Sequence, residues 1–429
     1  MNTAPQNTLE LLVIGGGPAG MMCAITAAKR FRKSSGNQSC NAGIVLLEKN
    51  DVPGKKLLIA GSGRCNLTHA GPIADFLKHY GEHGRFVQPA LNHLTNDALA
   101  GFFADHGLPL IELNDGKLFP RTQSSRDVRD VLLAELRNTS VVLRNNTSAE
   151  SVKQQSDGSF VVQTQAQNAN DKRTIFFAKR LVIACGGKTY PTTGSTGDGY
   201  RFARSLGHSI IEPMPALSPI RVRDYRFAEC AGLSFENTNI RLFRGGKKIA
   251  TATGDLLLTH HGLSGPVILD TSRNIAPGDT ICVSFVRAFA DANIFEKQLI
   301  DDAIEFGRKS AKNMLAKYEI PERLLSLLFV QNEIPLDLSV AEMSRDIRKT
   351  LARSIIEQPF VVAKLGGDNE AMVTRGGVAL TEIDRKTMQS RLVPNLYFCG
   401  ETLDVDGDTG GYNLQFAFSS GKLAADSMF

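Results

Sequence analysis

Paired cysteines, a basic leader and an uninterrupted apolar span are all missing from this sequence. Its seven cysteines are scattered, odd in number and never arranged as C-x-x-C, which argues against a disulfide framework or a zinc ribbon and fits a reducing cytosol. The first eight residues carry no basic segment, so no signal peptide is expected. The uncharged stretch 11–28 is as long as a membrane span, but its glycine cluster around Pro18 favours a strand, a turn and a helix. We therefore expect a cytoplasmic protein that does not enter the membrane.

Strong charge and abundant aromatic side chains are lacking too. The formal net charge of +5 is small for 429 residues, and aromatic residues make up only 7% of the chain. No RNA-binding motif is present and few rings are available to stack on bases, so no nucleic-acid partner is expected. Apolar residues make up 42% of the chain, whose length corresponds to about three domains. The expected partner is a small-molecule substrate.

A glycine cluster near the N-terminus organises the rest of the chain. The apolar run 11–14 predicts a buried strand, and Met21–Lys29 predicts a helix. Between them, Gly15, Gly17 and Gly20 fit G-x-G-x-x-G, in which the glycines allow a tight turn, the approach of a diphosphate and close packing of helix on strand. The free N–H groups of such a first helical turn bind anions. The residues predicted to hold the diphosphate are Gly15, Gly17, Pro18, Ala19 and Gly20.

A carboxylate follows at the end of the next predicted strand. The apolar run 44–47 ends in Glu48, which is placed to accept a ribose hydroxyl. Glu48 lies 28 residues after Gly20, later than the spacing of about 20 in the usual fingerprint. The polar stretch Ser34–Asn41 is interpreted as a loop insertion that accounts for the delay. A glycine turn of an unrelated α/β protein is the alternative, but the whole series of elements favours a dinucleotide site.

Three further glycine-rich segments occur along the chain. The segment 54–66 mixes glycines with Lys, Arg and Asn, and offers donors and cations to phosphate or to a polar ring edge; a flexible surface loop is its alternative. The run 181–187 repeats the pattern of a strand ending in glycines, and so does 395–415, where a helix from about Leu414 follows. Such a helix start stabilises negative charge on a ligand. All three segments are candidates for contact with one cofactor.

The middle of the chain has a different character. Prolines at 213, 215 and 219 mark a linker, and the short strand-like runs that follow suggest a small antiparallel domain. Apolar residues at helical spacing predict helices over Asp291–Tyr318 and Val340–Ile356.

No metal site is predicted. His79 and His83 stand four residues apart, but Gly81 between them favours a solvated loop or helix end. The acidic series 404–408 resembles the start of a calcium loop, but the glutamate that would complete it is missing.

The ordered blocks GKKLLIAGSGRCNLTH (54–69), THHGLSGP (259–266), TRGGV (374–378) and GETLDVDGDTGGYNLQ (400–415), together with the glycine turn, resemble a family of bacterial NAD(P)/FAD-dependent oxidoreductases. That family includes BaiN-like and aminoacetone-oxidase-like flavoproteins. The resemblance implies an α/β fold: a glutathione-reductase-like Rossmann FAD domain (1–210 and 365–429) interrupted by an insert (211–364). The insert would comprise a small β-barrel (about 211–290 and 345–364) and a helical subdomain (about 291–344).

The resemblance also implies FAD as the cofactor and assigns residues to it. Glu48 would bind the adenosine ribose and Val152 would meet adenine through its backbone. The remaining positions near the ribityl chain, the phosphates or the flavin ring would be Lys49, Lys56, Arg64, Cys65, Asn66, Ala184, Gly186, Gly187, Gly400, Glu401, Gly411, Tyr412, Asn413 and Leu414.

The expected reaction is hydride transfer between a small organic substrate and N5 of the flavin, with NAD(P)H as a transient donor. His260 and His261 are candidate acid–base groups because an imidazole titrates near neutral pH, although a loop-packing role is equally open. Three alternatives are kept: an oxygen-using, amine-oxidase-like flavoenzyme, a flavin-binding redox sensor or RNA-associated protein, and a NAD-dependent dehydrogenase, which would leave 400–415 unexplained.

Overall fold

The computed structural model describes residues 8–35, 43–113, 115–165, 173–289, 291–307 and 309–429. The chain forms two units, here called the sheet unit (Met1–Pro215 with Met372–Phe429) and the barrel unit (Ala216–Ala371). The two units meet in the sequence at 215/216 and 371/372, slightly later than the predicted boundaries at 210/211 and 364/365. Within the described residues, no helix is both long and apolar enough to cross a membrane.

The strands in chain order are β1 (Leu11–Ile14), β2 (Ile44–Leu47), β3 (Thr68–His69), β4 (Leu110–Glu112), β5 (Lys117–Pro120), β6 (Val142–Arg144), β7 (Ala149–Gln154), β8 (Phe160–Thr164), β9 (Ile175–Ala178), β10 (Leu181–Ile183), β11 (Ile210–Ala216), β12 (Ile220–Val222), β13 (Ser234–Arg244), β14 (Lys247–Leu258), β15 (Gly262–Ser264), β16 (Thr280–Val283), β17 (Gln358–Leu365), β18 (Val373–Val378) and β19 (Leu396–Phe398). The α-helices are α1 (Pro18–Ser35), α2 (Lys55–Ile59), α3 (Ile73–Phe76), α4 (Gly84–His93), α5 (Asn96–Asp105), α6 (Ser125–Asn138), α7 (Asp198–Ser205), α8 (Pro266–Thr271), α9 (Ala292–Phe306), α10 (Ala311–Ala316), α11 (Glu322–Gln331), α12 (Arg345–Ile356) and α13 (Tyr412–Asp426).

Five parallel strands form the central sheet of the sheet unit, in the order β19-β10-β1-β2-β6. Leu12 of β1 is in register with Leu181 of β10 and with Val45 of β2. Every residue of β1, β2, β10 and β19 is buried, as expected for a parallel sheet covered on both faces. The apolar runs predicted as buried strands are thus strands of one sheet, and the predicted α/β Rossmann-type fold class is confirmed.

Helix α1 is longer than the helix predicted over 21–29. It starts at Pro18 and continues to Ser35. Lys29 pairs with Glu135 and Arg30 with Asp426, each at 2.5 Å. The loop predicted over 34–41 lies mostly outside the described residues.

The two helices that pack together most closely in the sheet unit are α1 and α13. A Cβ at Gly421 would lie 2.2 Å from Ala19 O, so only glycine permits this approach. The C-terminal helix is therefore held against the helix that follows the glycine turn.

Two small antiparallel sheets, β3-β5-β4 and β7-β8-β9, and the pair β11-β18 complete the strands of the sheet unit. Val152, predicted to contact adenine, lies in β7, where it is 2% exposed and paired with Val162. Its contact with adenine stays a prediction.

The barrel unit is a closed barrel of antiparallel strands in the order β12-β15-β14-β13-β16-β17. Helices α9 to α12 lie between β16 and β17 in the sequence. Within the segment 345–364, assigned to the barrel from the sequence, Arg345–Ile356 instead form helix α12 and only β17 joins the barrel. The Ser344 side chain caps this helix by accepting from Ile347 N at 3.3 Å. That cap also explains why the helix predicted from Val340 starts later.

Candidate cofactor site of the sheet unit

The turn after β1 brings glycines against the neighbouring strand and the first helix. A Cβ at Gly15 (φ +113°) would lie 2.3 Å from Ala184 O, and one at Gly20 would lie 1.9 Å from Gly15 O. Backbone contact therefore excludes side chains at both positions. A Cβ at Gly17 would meet no atom of the described chain within 4 Å. An open space thus lies at the start of α1, where Pro18 occupies the first helical position and free N–H groups attract anions.

The carboxylate of Glu48 is fixed beside this turn. Glu48 is 7% exposed, and its Oε2 accepts a hydrogen bond from Gly16 N at 3.0 Å. Its Oε1 accepts from Asn50 N at 2.8 Å and from Asn50 Nδ2 at 2.7 Å. A buried acceptor with two oxygens in this position suits ribose hydroxyls. The neighbouring Lys49 forms an ion pair with Asp198 at 2.8 Å.

The loop 60–66 contains residues in the left-handed conformation, including Ser62 (φ +57°) and Cys65 (φ +64°). Cys65 is fully buried, and this burial raises the pKa of its thiol to about 12. The thiol therefore stays protonated near neutral pH and does not act as a nucleophile. Arg64 is exposed, with its guanidinium 5.0 Å from the centre of the Phe119 ring.

Asn66 joins this loop to the start of α13. In the amide orientation that satisfies its neighbours, Asn66 Oδ1 accepts from Gly411 N at 3.1 Å and Nδ2 donates to Thr68 O at 2.9 Å. Gly411 (φ +96°) caps α13, and a Cβ there would lie 2.6 Å from Thr68 Cα. Two blocks from opposite ends of the sequence therefore meet at one helix N-terminus.

The loop before α13 is held by its own helix. Asn413 Oδ1 accepts from Gly407 N and Asn413 Nδ2 donates to Gly407 O, each at 2.8 Å. Gly400 (φ +64°) donates its N–H to Ser420 Oγ at 3.0 Å. Leu414 packs against the hydrophobic core. The predicted residues of this segment are thus supports of one loop-and-helix start.

An ion-pair network connects four segments of the sheet unit. Lys56 Nζ donates to both carboxylate oxygens of Glu401, at 3.0 and 2.8 Å, and to Thr189 Oγ1 at 2.9 Å. Glu401 Oε1 also accepts from Thr374 N at 2.7 Å. A Cβ at Gly187 would lie 2.2 Å from Thr374 Oγ1, so the glycine pair after β10 makes this approach possible. Lys56, Gly187 and Glu401 were predicted as site residues; Thr189 and Thr374 were not.

Gly186 and Cys185, which precede Gly187 at the end of β10, make further contacts. Gly186 (φ +72°) donates its N–H to Thr402 Oγ1 at 3.1 Å. Cys185 beside it is a thiol whose pKa burial raises to about 12, so it stays protonated. These contacts join the end of β10 to the segment that follows β19.

A stack of rings covers the first residue of α13. The His79 ring lies 4.1 Å from the Tyr412 ring with a 12° angle between planes, and the His69 ring lies 5.4 Å from it at 14°. His79 Nδ1 lies 3.0 Å from Asp408 Oδ2, and Asp408 N donates to His79 O at 2.9 Å. Tyr80 OH donates to Tyr412 O at 2.8 Å. The histidine interpreted from sequence as part of a solvated loop is therefore a half-buried partner of the α13 start.

The predicted acid–base histidines belong to the barrel unit. His260 and His261 are exposed residues of the turn between β14 and β15 in the barrel unit. Their role stays a prediction. Across the part of the chain that the structure describes, no group of three His, Cys, Asp or Glu side chains is arranged to hold a metal ion.

Comparison with known proteins identifies a matching family and full-length relatives. The family described as HI0933-like protein Rossmann domain matches residues 9–427. The chain is 31% identical to the 3-dehydro-bile acid delta(4,6)-reductase of Clostridium scindens over 421 residues, which are 96% of this chain and 97% of the relative. It is 28% identical to the ribosomal RNA dihydrouridine synthase of Escherichia coli over 428 residues, 98% of each chain.

Solved structures share the fold at much lower identity. A 3-ketosteroid delta1-dehydrogenase from Sterolibacterium denitrificans gives a TM-score of 0.52 at 13% identity and covers 99% of both chains. The open conformation of a flavocytochrome c3 fumarate reductase gives 0.51 at 16% identity, covering 99% of this chain and 78% of that one. At these identities the likeness concerns the fold alone.

Proposed function

The chain belongs to the HI0933-like Rossmann family of FAD-binding oxidoreductases, and from this premise we propose that it reduces a carbon–carbon double bond conjugated with a carbonyl group. FAD, when bound, supplies the hydride chemistry at N5 of its flavin ring. The protein's own residues bind and orient the reactants and supply charge and protons.

The observation that carries the cofactor part of this proposal is the fit of the glycine turn to a dinucleotide. Gly17 faces open space at the N-terminus of α1, while Glu48 is held beside the same turn by Gly16 N. A diphosphate requires the first feature and an adenosine ribose requires the second. We assign the diphosphate to 15–20 and the ribose hydroxyls to Glu48.

Charge in the sheet unit suits a ring that becomes electron-rich on reduction. The N-terminus of α13 carries the positive end of the helix dipole, and Asn66 and Gly411 fix its position. Lys56 lies in the same unit, but its ammonium is balanced by both carboxylate oxygens of Glu401. A fixed dipole such as that of α13 stabilises negative charge without reorganisation during the reaction. We assign the flavin ring to the neighbourhood of these groups.

The substrate class comes from the names of the relatives. One acts on a 3-dehydro bile acid as a delta(4,6)-reductase, and the other forms dihydrouridine in ribosomal RNA. Both names describe saturation of a carbon–carbon double bond that is conjugated with a carbonyl group. We therefore propose an enone-like substrate, with a small molecule as the first candidate.

A uracil base within RNA is the second candidate substrate. The ribosomal RNA dihydrouridine synthases of Escherichia coli and Haemophilus influenzae match at 28% and 29% identity over 98% of this chain. This similarity favours an RNA substrate, whereas the composition predicts no nucleic-acid partner. The two candidates share the same reacting group and differ in what surrounds it.

The electron donor in this proposal is a nicotinamide that binds transiently. Only one G-x-G-x-x-G is present, at 15–20, and it is assigned to FAD. NADH or NADPH would therefore bind, react and leave without a second dinucleotide-binding fold of its own.

The test is a pair of anaerobic stopped-flow experiments on the purified FAD-loaded protein. NADH and NADPH are mixed in separately, and loss of the visible flavin absorbance names the donor. The reduced protein is then mixed with 2-cyclohexen-1-one, with a 3-oxo-4-ene steroid, or with a uridine-containing ribosomal RNA fragment. We expect the absorbance to return with the substrate of the natural class.

Return of absorbance with a steroid or cyclohexenone supports the small-molecule candidate, and return with RNA alone supports the second candidate. Rapid reoxidation by oxygen alone, with no response to any of the three, would favour an oxidase. A protein that binds no FAD would overturn the assignment of the site.

A further inference from the structure

The proton needed by the proposed reduction has a specific source among the described side chains. We infer that His79, oriented by Asp408, is the acid that protonates the substrate carbon next to the one receiving hydride. This inference rests on the proposed function, because it uses the assignment of the flavin to the start of α13. His79 belongs to the sheet unit, whereas His260 and His261 belong to the barrel unit.

The geometry of the pair is that of an oriented imidazole. His79 Nδ1 lies 3.0 Å from Asp408 Oδ2, and the two residues are also joined by the backbone bond from Asp408 N to His79 O at 2.9 Å. Stacking on Tyr412 at 4.1 Å fixes the plane of the ring. A carboxylate at Nδ1 keeps a proton there and leaves Nε2 to exchange protons with a substrate. His79 Nε2 has no hydrogen-bond partner among the residues that the structure describes.

The neighbouring rings are poorly suited to this role. Both ring nitrogens of His69 lie 2.9 Å from backbone carbonyls, those of Ala70 and Asp115, so neither is open to a substrate. Tyr80 is fully buried and donates its hydroxyl to Tyr412 O; burial raises its pKa well above the ordinary value. Its proton is therefore unavailable near neutral pH.

Two other acidic side chains of the sheet unit are candidate proton donors. Burial raises the pKa of Tyr200 far above its usual range, so Tyr200 is a poor proton donor. Asp404 is half-buried, and burial raises the pKa of its carboxyl while the nearby His83 lowers it. Asp404 is thus a proton donor that an experiment must separate from His79.

The proposed step balances in atoms and charge. The carbon β to the carbonyl receives a hydride from the cofactor, so the substrate is reduced by two electrons and the cofactor is oxidised. The adjacent α-carbon takes the proton from His79 Nε2, the carbon–carbon π bond is lost, and neutral His79 is reprotonated from solvent. Asp408 acts as a positioning residue.

The first test needs no substrate. The ring signals of His79 and His93 are followed by NMR against pH in the FAD-loaded protein, oxidised and then reduced with dithionite; H79Q and H93Q assign the signals. His93 is the matched control, because it also pairs with a carboxylate, Asp426 at 2.7 Å, and its side chain is 33% exposed against 30% for His79. The titratable groups in contact with the His79 ring are Asp408 from the loop and Tyr412 from α13. Tyr80, the next residue in the chain, donates its hydroxyl to Tyr412 O.

We expect the titration midpoint of His79 to rise on reduction, since the site then gains negative charge, and that of His93 to stay unchanged. Equal midpoints for His79 in the two redox states would overturn the inference. A protein without bound FAD would instead overturn the proposed function.

The second test measures single turnovers with 2-cyclohexen-1-one. We expect H79Q to slow reoxidation of the reduced protein by about 100-fold or more, as loss of a general acid does, beyond any change in nicotinamide-driven reduction and FAD content, which are measured in the same samples. H93Q should react as the wild type does. Wild-type reoxidation in H79Q, or a large loss in D404N alone, would overturn the inference. If the reduced wild type reacts with none of 2-cyclohexen-1-one, the steroid and the RNA fragment, the proposed function fails, and the NMR test then shows only whether His79 responds to the redox state of the flavin.

Discussion

The two units of this protein use strands in opposite ways. In the sheet unit, β1, β2, β10 and β19 are only three or four residues long and the first, third and fourth run into glycine-rich turns. In the barrel unit, β13 and β14 are 11 and 12 residues long and pair with each other along most of their length. Long strands satisfy their own backbone groups, whereas short strands leave N–H groups in the turns for a ligand.

The contrast extends to what each glycine does. Gly15 and Gly262 both permit close backbone approach, with Cβ positions 2.3 and 2.1 Å from a carbonyl oxygen of a neighbouring strand or strand end. At Gly15 the approach builds a turn beside the open space at Gly17, but at Gly262 it pairs β15 with β12. The same steric device thus builds a site in one unit and closes a barrel in the other.

The largest expected effect comes from filling the glycine turn. Gly15→Ala places a methyl group against Ala184 O at a positive φ, and we expect a loss of about 3 kcal/mol or more in the free energy of unfolding, with little FAD retained. Gly17→Ala should leave the stability of the FAD-free protein nearly unchanged but weaken FAD binding, because its methyl group occupies only the open space. Flavin-to-protein ratios and urea unfolding of both variants measure this difference.

Gly262→Ala is the matched control in the barrel unit. It should destabilise the barrel by a similar amount and leave the flavin-to-protein ratio at the wild-type value. Loss of FAD from this variant would show that the contrast between the units does not hold.

A smaller effect is expected at a buried carboxylate of the sheet unit. Burial alone would raise the pKa of Asp426, but hydrogen bonds from Lys422, Arg30 and His93 lower it to about 2. A lowered folded-state pKa gives stability that is present above about pH 4 and lost as the pH falls towards 2, worth about 2 kcal/mol. D426N should lose this amount at neutral pH, and the gap to the wild type should shrink in unfolding experiments at about pH 3.

The corresponding carboxylate of the barrel unit should matter less. Asp279 accepts two hydrogen bonds from Arg244, at 2.9 and 2.8 Å, which lower its pKa, but Arg244 is 52% exposed. We expect D279N to cost about 1 kcal/mol at neutral pH, with no change in flavin content. A loss larger than that of D426N would reverse the ranking of the two units.

The smallest effect concerns the thiols of the site. Burial raises the pKa of both Cys65 and Cys185 to about 12, so neither forms a thiolate at neutral pH. Iodoacetamide should leave both unmodified in the folded protein and alkylate them in urea, as mass spectrometry of the digested protein would show. Modification of the native protein would contradict this assignment.

Local pattern was sufficient to predict much of the sheet unit. Strand–glycine–helix order predicted the turn at 15–20, and the resemblance to a known family pointed to Lys56 and Glu401, which the structure joins. Thr189 and Thr374 were missed because a threonine carries no periodic signal; the block 374–378 was noticed only as a motif. The end of α1 was missed because the prediction stopped with the apolar run, whereas the helix continues through the polar residues up to Ser35.

His79 shows the limit of pattern most clearly. Gly81 interrupts helical spacing after it, so the sequence favoured a solvated loop or helix end. Its partner Asp408 lies 329 residues away. Only the folding of the C-terminal segment onto the first half of the chain brings the two together. Pairings of this kind depend on topology, which residue spacing does not encode.

The discontinuity of the sheet unit has a consequence for protein synthesis. When the ribosome has polymerised residues 1–371, the nascent chain holds the glycine turn, Glu48 and the whole barrel unit, but it lacks β19, Glu401 and α13. Domains tend to fold as they emerge, so the barrel is ready first while the central sheet still misses its edge strand. Newly made chains therefore acquire the proposed cofactor site in full only after β19 and α13 have been synthesised as well.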